Sequence, residues 1–174
     1  MSVALALIAM LVELCFGYPD ALVKAIGHPV TWIGRLVDAL DTWLNRDAAS
    51  KGERRTGGIV AVLILIVIVG TVALVIQHEL LWLPLGIIAA GFIASSLVAQ
   101  RSLNGHVAAV AIALENDGIA AGRIAVSRIV GRDTAQLDAA GVARAAIESL
   151  AENFSDAIVA PVIWMVIAGL PGAA

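Results

Sequence analysis

Four charged side chains recur at helical spacing in the last quarter of the sequence. Arg144, Glu148, Glu152 and Asp156 follow one another at intervals of four residues, so a helix through this segment places them on one face. Glu148 and Glu152 then repel each other mildly, and a divalent cation or Arg144 offsets that repulsion. The spacing indicates either a site for a metal ion or a phosphate, or a solvated helix face that carries an Arg–Glu pair.

Two histidines are further candidates for chemistry. His28 is followed by Pro29, which bars a regular helix through it. A histidine held in such a turn is either a ligand or acid–base group, or a residue that bonds to the backbone of the turn. His106 lies one helical turn beyond Ser102 and allows the same two interpretations.

Two other polar clusters border the apolar runs. Glu13 lies near the end of an apolar segment, where a carboxylate without a partner is energetically costly, so it is a site candidate. Arg54 and Arg55 precede the longest apolar run. They either hold a phosphate at the start of a helix or anchor that helix among lipid headgroups.

The composition identifies an integral membrane protein. Hydrophobic residues make up 60% of the chain and charged residues 14%, and the mean hydropathy is +0.95, whereas about a quarter of the residues in soluble domains are charged. The net charge of −3 gives no indication of a nucleic-acid partner. Cys15 is the single cysteine, so no internal disulfide forms. The sequence contains no P-loop, Rossmann glycine fingerprint or Cys-x-x-Cys pair, so a standard P-loop ATPase or zinc site is not supported.

Four apolar segments are long enough, or nearly so, to cross a bilayer: residues 3–16, 59–76, 80–99 and 157–174. The second and third are separated only by residues 77–79, which predicts a membrane hairpin with a very short loop. Pro161 interrupts the fourth segment. No strand pattern competes with these segments. We therefore predict a single all-α domain over residues 1–174, a polytopic membrane helical bundle.

The loop charges orient these spans. Lys and Arg cluster in residues 20–58 and 100–156, and none lies in residues 77–79. The positive-inside rule then places both basic segments in the cytoplasm and the N-terminus outside. A cytoplasmic helical segment over residues 100–156 is therefore expected between the third and fourth spans.

The pattern within residues 100–156 predicts three helices. Apolar residues recur at helical spacing from Leu103 to Leu114, residues 116–118 mark a stop, and an alanine-rich pattern resumes over residues 119–130. A turn at residues 131–134 follows, with Asp133 or Thr134 placed to cap the next helix. These helices are apolar on one side and are expected to pack on one another and on the membrane bundle.

Several motifs occur together in a distinctive order. They are Gly17-Tyr18-Pro19, His28-Pro29-Val30, Ile33-Gly34, Arg101-Ser102-Leu103 with His106, Val130-Gly131-Arg132-Asp133-Thr134 and the block ESLAENFSDAIVAPVIW at residues 148–164. In this order they resemble the N-terminal part of the membrane-bound adenosylcobinamide-phosphate synthase family of cobalamin biosynthesis (CobD/CbiB family). Ala157 departs from the family pattern, which often has glycine there, and the resemblance does not include the family's C-terminal half.

The resemblance implies an ATP-dependent amide ligation on the cytoplasmic side of the bacterial inner membrane. An aminopropanol phosphate, or a related amino-alcohol, would be joined to a propionate side chain of adenosylcobyric acid to give adenosylcobinamide phosphate. ATP and Mg2+ are the expected cofactors. The expected partners are the corrinoid and amino-alcohol substrates, membrane lipid and other membrane proteins of the corrinoid pathway.

The candidate residues can be assigned roles in such a reaction. Mg2+ held by Glu152 and Asp156 would neutralise the phosphates of ATP. His28 or His106 would deprotonate the incoming ammonium, and Glu148 is a third catalytic candidate. The candidates for binding substrate and phosphate are Arg101, Arg132, Asp133, Arg144 and Asn153.

Two other classes of protein remain open at this point. A transporter would also place Glu13 and paired carboxylates near the membrane, although Thr71 is the only polar side chain in residues 59–76. A non-catalytic membrane scaffold would need no carboxylate cluster. If the chain is a ligase, we expect its 174 residues alone to insert into the membrane but to show no ligase activity, because the resemblance implies that further polar motifs complete the site.

Overall fold

The computed structural model describes residues 2–46 and 49–174, and all regular secondary structure in these ranges is helical. The α-helices are α1 (Ser2–Phe16), α2 (Asp20–Ile26), α3 (Pro29–Leu44), α4 (Lys51–Leu81), α5 (Gly86–Ser95), α6 (Gln100–Ile112), α7 (Gly118–Val126), α8 (Ala139–Phe154), α9 (Ala160–Ala168) and α10 (Leu170–Ala173). Two π-helical turns, Ala113–Asp117 and Ser155–Val159, follow α6 and α8. The prediction of an all-α chain is confirmed.

Three helical stretches are long and apolar enough to cross a membrane: Lys51–Leu81, Gly86–Val126 and Ala139–Ala168. There are four if the bent pair Ser2–Phe16 and Ala21–Leu44 forms one span. Much of this apolar surface faces outward, since only 6% of the most apolar part of α4 is buried inside the protein. Lipid is the solvent that suits such a surface. The predicted membrane helical bundle is confirmed, and the cytoplasmic placement of residues 100–156 stays a prediction.

The membrane bundle is built around a close contact between α1 and α5. Ala9 of α1 and Ala90 and Ala94 of α5 are fully buried. Gly91 approaches α1 still more closely, since a Cβ at this position would lie 2.3 Å from Cγ2 of Ile8. Small residues let two helix backbones approach in lipid, where dispersion contacts hold helices together.

α4 begins and ends outside the predicted span of residues 59–76. It begins after Ser50, which forms a capping box with Glu53. The N–H of Arg54 donates to the carbonyl of Ser50 at 3.0 Å, so the helix starts before Arg54 and the N–H of this residue is not free for a phosphate. Anchoring of Arg54 and Arg55 among lipid headgroups stays a prediction.

The predicted loop at residues 77–79 is also wrong, because these residues are helical and the chain turns at residues 82–85. Residues 77–79 contain no glycine or proline to end the helix, whereas the turn contains Pro84 and Leu85, the latter at φ +62°. The predicted span 80–99 consequently comprises the last two residues of α4, this turn, α5 and a short non-helical link to α6. Gln77 instead joins two helices, since its Oε1 accepts the N–H of Leu170 at 2.7 Å.

The chain reverses between α6 and α7. Gly118 has φ +80°, a conformation that favours glycine. Gly122 lies so close to Leu114 that a Cβ on Gly122 would be 2.4 Å from Cδ2 of Leu114. In a straight helix residues eight apart are separated by about 12 Å, so the stretch Gly86–Val126 doubles back. The predicted stop at residues 116–118 is confirmed.

A second apolar core joins α6, α7 and α8. Val110, Val126, Val142 and Ala145 form its centre and are at most 2% exposed. Each of the three helices contributes an apolar side to it, as the sequence predicted. This packing places the ends of α6 and α7 beside α8.

The link between α7 and α8 contains the predicted turn at residues 131–134. The prediction that Asp133 or Thr134 caps the next helix is wrong, because α8 begins several residues later. Asp138 caps it by accepting the N–H of Gly141 at 2.7 Å. Asp133 bonds within its own turn, and the Thr134 hydroxyl donates to a carbonyl of α7.

Candidate functional site

The ends of α1 and α6 cap each other. The carboxylate of Glu13, only 3% exposed, accepts the backbone N–H of Arg101 at 3.0 and 3.2 Å and the side-chain amide of Gln100 at 3.4 Å. The N–H of Arg101 lies in the first turn of α6, where backbone donors have no partner within the helix. The guanidinium of Arg101 in turn donates to the carbonyls of Cys15 (3.0 Å) and Leu14 (3.5 Å) at the end of α1. The negative carboxylate of Glu13 thus lies at the N-terminus of α6, and the positive guanidinium of Arg101 lies at the C-terminus of α1. The helix dipole favours each of these charges at that end.

Pro161 brings a third segment to this junction. Proline has no N–H, so the carbonyl of Ala157, four residues earlier, loses its helical donor. The N–H of Ala99, the residue before α6, donates to that carbonyl at 3.1 Å. The π-helical turn Ser155–Val159 lies at this point, and such turns occur frequently at functional sites.

Three contiguous cavities of about 570, 430 and 290 Å3 lie beside this junction. The first and second share Ser102, His106 and Arg128, and the second and third share residues 129–131 and Ser149. We call them together the polar groove. Its polar side chains are Glu13, Tyr18, Arg101, Ser102, His106, Arg128, Ser149, Asn153, Arg132, Glu148 and Glu152.

His106 stands where the first two cavities meet. Its Nδ1 lies 2.8 Å from the carbonyl oxygen of Ser102 and 3.4 Å from the Ser102 hydroxyl. A carbonyl oxygen only accepts, so Nδ1 carries the proton of the neutral ring and Nε2 keeps its lone pair. The exposed imidazole is therefore oriented to accept a proton at Nε2.

The first cavity is the cationic end of the groove. Its charged residues are Glu13, Arg101 and Arg128, and Glu13 is occupied in capping α6. Arg128 follows α7, and its exposed guanidinium forms no hydrogen bond or ion pair with residues 2–46 or 49–174. One arginine of this end is thus held in place and the other is available.

The third cavity is the acidic end of the groove. Glu148 forms an ion pair with Arg132, both side chains being about half exposed at 54% and 52%. Glu152, one turn further along α8, lines the same cavity. Because Arg132 already offsets the charge of Glu148, Glu152 is the carboxylate available to a cation at this end.

The groove lacks a complete set of metal ligands. Asp156 does not line any of its three cavities, and the wider π-helical turn that begins at Ser155 ends the four-residue spacing. Among the residues described, no group of three or more His, Cys, Asp or Glu side chains is placed to hold a metal ion. A Mg2+ ion at Glu152 would need ligand oxygens from a bound phosphate, as is common for this ion.

Comparison with known proteins agrees with the motif resemblance. A sequence model of the family described as CobD/Cbib protein matches residues 6–174. This chain belongs to the CobD/Cbib family. The resemblance noted from the motifs is thereby confirmed.

Relatives of this CobD/Cbib chain carry the name cobalamin biosynthesis protein CobD. The one from Rhodobacter capsulatus is 49% identical over 175 residues, which cover 98% of this chain and 54% of that protein. Those from Rhizobium meliloti and Sinorhizobium fredii are 44% and 43% identical over 168 and 170 residues, in each case 95% of this chain and 51% of the relative. The chain spans about half the length of the curated relatives it matches. No solved structure matches it.

Most of the predicted site residues of this CobD/Cbib chain lie in the polar groove. They are Arg101, His106, Arg132, Glu148, Glu152 and Asn153. Asp133, Arg144, Asp156 and His28 line none of its three cavities. The first set lies on α6, α8 and the turn between α7 and α8, so packing of the second core brings it together.

His28 occupies the turn between α2 and α3. Its Nδ1 accepts the N–H of Val30 at 3.2 Å and so caps α3. Its ring meets the edge of Tyr18 with centroids 4.4 Å apart, and the Tyr18 hydroxyl donates to the carbonyl of Gly27 at 3.0 Å. The interpretation as a turn histidine bonded to the backbone is confirmed, and a role in catalysis stays a prediction.

Sequence reasoning missed Arg128 and Ser149. Ser149 donates its hydroxyl to the carbonyl of Ile129 at 2.7 Å and accepts the side-chain amide of Asn153 at 3.2 Å, which ties α8 to the end of α7. Ser149 stands inside the distinctive motif block, and Arg128 lies four residues before Arg132. These were the available signals, but only the packing of α7 against α6 shows that Arg128 lies beside His106.

Proposed function

We propose that this chain forms part of an enzyme of cobalamin biosynthesis. The reaction is the ATP-dependent ligation of an amino-alcohol, or its phosphate, to a propionate side chain of adenosylcobyric acid. Family membership and relatives named as cobalamin biosynthesis proteins support this proposal. The observation that carries it is the position of His106, which lines both the first and the second cavity of the groove and whose Nδ1 lies 2.8 Å from the carbonyl oxygen of Ser102.

The proposed chemistry has two steps. A carboxylate is a poor acyl donor, so a propionate oxygen first attacks the terminal phosphorus of ATP, ADP leaves and an acyl phosphate forms. The amine nitrogen then attacks the acyl carbon, the amide bond forms and inorganic phosphate leaves. The ammonium must lose a proton before that attack, and we assign this proton to Nε2 of His106, the group whose tautomer suits it.

The acidic end of the groove suits the metal–nucleotide part of the reaction. A Mg2+ ion, when bound, supplies positive charge that neutralises the phosphates of ATP. This ion commonly uses one or two carboxylates together with phosphate oxygens. Glu152 lines the third cavity and offers one such carboxylate, while Glu148, one turn away, is held in an ion pair by Arg132. Metal binding by Asp156 stays a prediction.

We place the groove on the cytoplasmic side of the bacterial inner membrane. Most of the residues that line it belong to the basic region 100–156, which the positive-inside rule assigns to the cytoplasm. ATP is available there. The proposed partners are the corrinoid and amino-alcohol substrates, membrane lipid and other membrane proteins of the same pathway.

A transporter has less support than an enzyme. A transport path needs polar side chains inside the bundle that are free to bind a ligand. Ser95 and Ser96 are buried in the membrane bundle, but each hydroxyl donates to a carbonyl of its own helix, at Phe92 and Ile93 respectively, both at 2.7 Å. Among five cavities beside the described residues, charged side chains line only the three of the groove.

The test of the proposed function is the substitution His106→Asn. Asparagine can still donate to the Ser102 carbonyl but has no Nε2 base, so the ligation rate should fall by about 100-fold or more. Membranes carrying the protein receive adenosylcobyric acid, ATP, Mg2+ and aminopropanol phosphate, and adenosylcobinamide phosphate is measured. Because these 174 residues alone are expected to be inactive, the rates of parent and variants are measured with the substitutions at the matching positions of the Rhodobacter capsulatus relative, of which this chain spans about half.

His78→Asn is the matched control. His78 lies on α4, outside the groove, and its Nε2 accepts the indole N–H of Trp82 at 3.1 Å. This control should keep the parent rate. Unchanged product formation by His106→Asn would remove His106 from the reaction, and absence of product from the unsubstituted relative would refute the proposed activity.

A further inference from the structure

We infer that Arg128 and Arg101 form a phosphate-binding subsite at the cationic end of the polar groove, for a phosphate monoester bound without a metal ion. Both arginines line the cavity of about 570 Å3 between the ends of α1, α6 and α7. Ser102 and His106 line the same cavity. The inference rests on the proposed function for the identity of the ester, which is the phosphate group of the amine substrate.

The hydrogen-bond arrangement leaves donors free for an anion. Arg101 uses Nη1 for the carbonyls of Leu14 and Cys15, and a guanidinium has five N–H donors in all. Those carbonyls hold Arg101 against the end of α1, where Gly17 leaves room for it: a Cβ on Gly17 would lie 3.2 Å from Cδ of Arg101. Arg128 has its whole guanidinium available within the described part of the chain. One fixed and one free arginine can bind a phosphate from two directions.

The opposite charges at the two ends of the groove suit two different phosphate ligands: a phosphate bound with Mg2+ at the acidic end and a metal-free phosphate at the cationic end. Glu13 is the one carboxylate of the first cavity, and its oxygens already accept the N–H of Arg101. The acidic end, where Glu152 is the available carboxylate, is therefore the better place for a Mg2+ ion. A phosphate without a metal ion binds better at the cationic end, beside Arg101 and Arg128. With its phosphate there, the amine of a short amino-alcohol phosphate extends along the groove toward His106.

Binding measured without turnover tests the inference. The purified full chain in detergent is titrated with ethanolamine phosphate, inorganic phosphate and Mg-ATP, in the absence of a corrinoid, by isothermal calorimetry. Arg128→Gln should weaken binding of ethanolamine phosphate and inorganic phosphate by about tenfold or more, since hydrogen bonds to charged groups are strong. Binding of Mg-ATP should be unchanged. Arg35→Gln, an exposed arginine on α3 outside the groove, should leave all three affinities unchanged.

These binding results are independent of whether ligation occurs, so failure of the subsite can be told apart from failure of the proposed function. Unchanged affinities in Arg128→Gln, or an equal loss for Mg-ATP, would overturn the subsite. Loss of binding only to vesicles containing phosphatidic acid, with ethanolamine phosphate unaffected, would assign Arg128 to a lipid headgroup and would also overturn it. Weaker binding of ethanolamine phosphate and inorganic phosphate, with binding of Mg-ATP unchanged, supports the subsite even if no ligation product is ever found.

Discussion

Glu13 shows how a carboxylate is accommodated in an apolar helix. It is 3% exposed, and both its oxygens accept the N–H of Arg101, 88 positions along the chain. Within the described residues every buried side-chain nitrogen or oxygen has a hydrogen-bond partner. The cost of burying this charge is thus offset by the first turn of α6, which gains a cap in exchange.

The substitution Glu13→Ala should lower the free energy of unfolding by about 1–3 kcal/mol, because it leaves a buried N–H and the side-chain amide of Gln100 without their acceptor. Glu13→Gln should cost less, because its carbonyl oxygen can still accept the N–H of Arg101. The measurement is denaturant unfolding of the purified protein in detergent. Glu115→Ala, at an exposed carboxylate in the π-helical turn after α6, is the control. An alanine effect at position 13 no larger than this control would show that the cap contributes nothing to stability.

Individual residues were predictable only in part. A glutamate in an apolar run and a histidine one turn beyond a serine stand out in any reading of the sequence. Their partners do not, because the acceptor and donor come from helices almost ninety positions apart for Glu13 and Arg101. His106 was identifiable as an ambiguous candidate, and only the folded structure places its Nδ1 2.8 Å from the carbonyl oxygen of Ser102.

The helices themselves were predictable to the extent that apolar runs reveal them. The run at residues 59–76 showed that a span exists but not where its helix ends, because polar residues continue a helix well when neither glycine nor proline follows. Gln77 therefore lies inside α4, bonded to Leu170. The π-helical turn before Pro161 has a cause that is visible in the sequence, because proline has no N–H. That the freed carbonyl of Ala157 accepts the N–H of Ala99 depends on the packing of α6 and could not be predicted.

Helix contacts of the membrane bundle depend on glycine where backbones approach. Gly91→Ala should destabilise the protein by about 1–3 kcal/mol, because the new Cβ would lie 2.3 Å from Cγ2 of Ile8 and force α1 and α5 apart. Gly70→Ala on α4 is the matched control, since nothing lies within 4 Å of the added atom. It should stabilise its helix by about 0.5–1 kcal/mol. Thermal unfolding in detergent measures both, and equal shifts for the two variants would contradict the packing described for α1 and α5.

The whole molecule consists of two apolar cores joined by α6. Leu103, near the start of α6, belongs to the core of the membrane bundle with Ala9 and Ala94. Val110, two turns later, belongs to the core formed with α7 and α8. The polar groove follows the same helix from one core to the other, since Ser102 directly precedes Leu103 and His106 lies between Leu103 and Val110. The chemistry of the site thus lies where the membrane bundle meets the second core.

We predict the side of the membrane on which the groove lies from the length and charge of α4. Its 31 residues extend about 46 Å, beyond the roughly 30 Å hydrocarbon thickness of a bilayer. Its first turns carry Lys51, Arg54 and Arg55, which the positive-inside rule assigns to the cytoplasm together with the groove. We therefore predict that the turn at residues 82–85, at the other end of this helix, lies outside.

Cysteine labelling tests this sidedness. Cys15 is exposed and is first replaced in the background Cys15→Ala. A membrane-impermeant maleimide applied to intact spheroplasts should label Leu83→Cys, whose native side chain is 57% exposed in the turn. The variants Asn45→Cys and Asn104→Cys should be labelled only after permeabilisation, because both positions lie in the basic segments. Labelling of Asn104→Cys from outside would place α6 and the groove away from cytoplasmic ATP. The proposed ligation would then be impossible in this orientation, whatever the affinities of the groove.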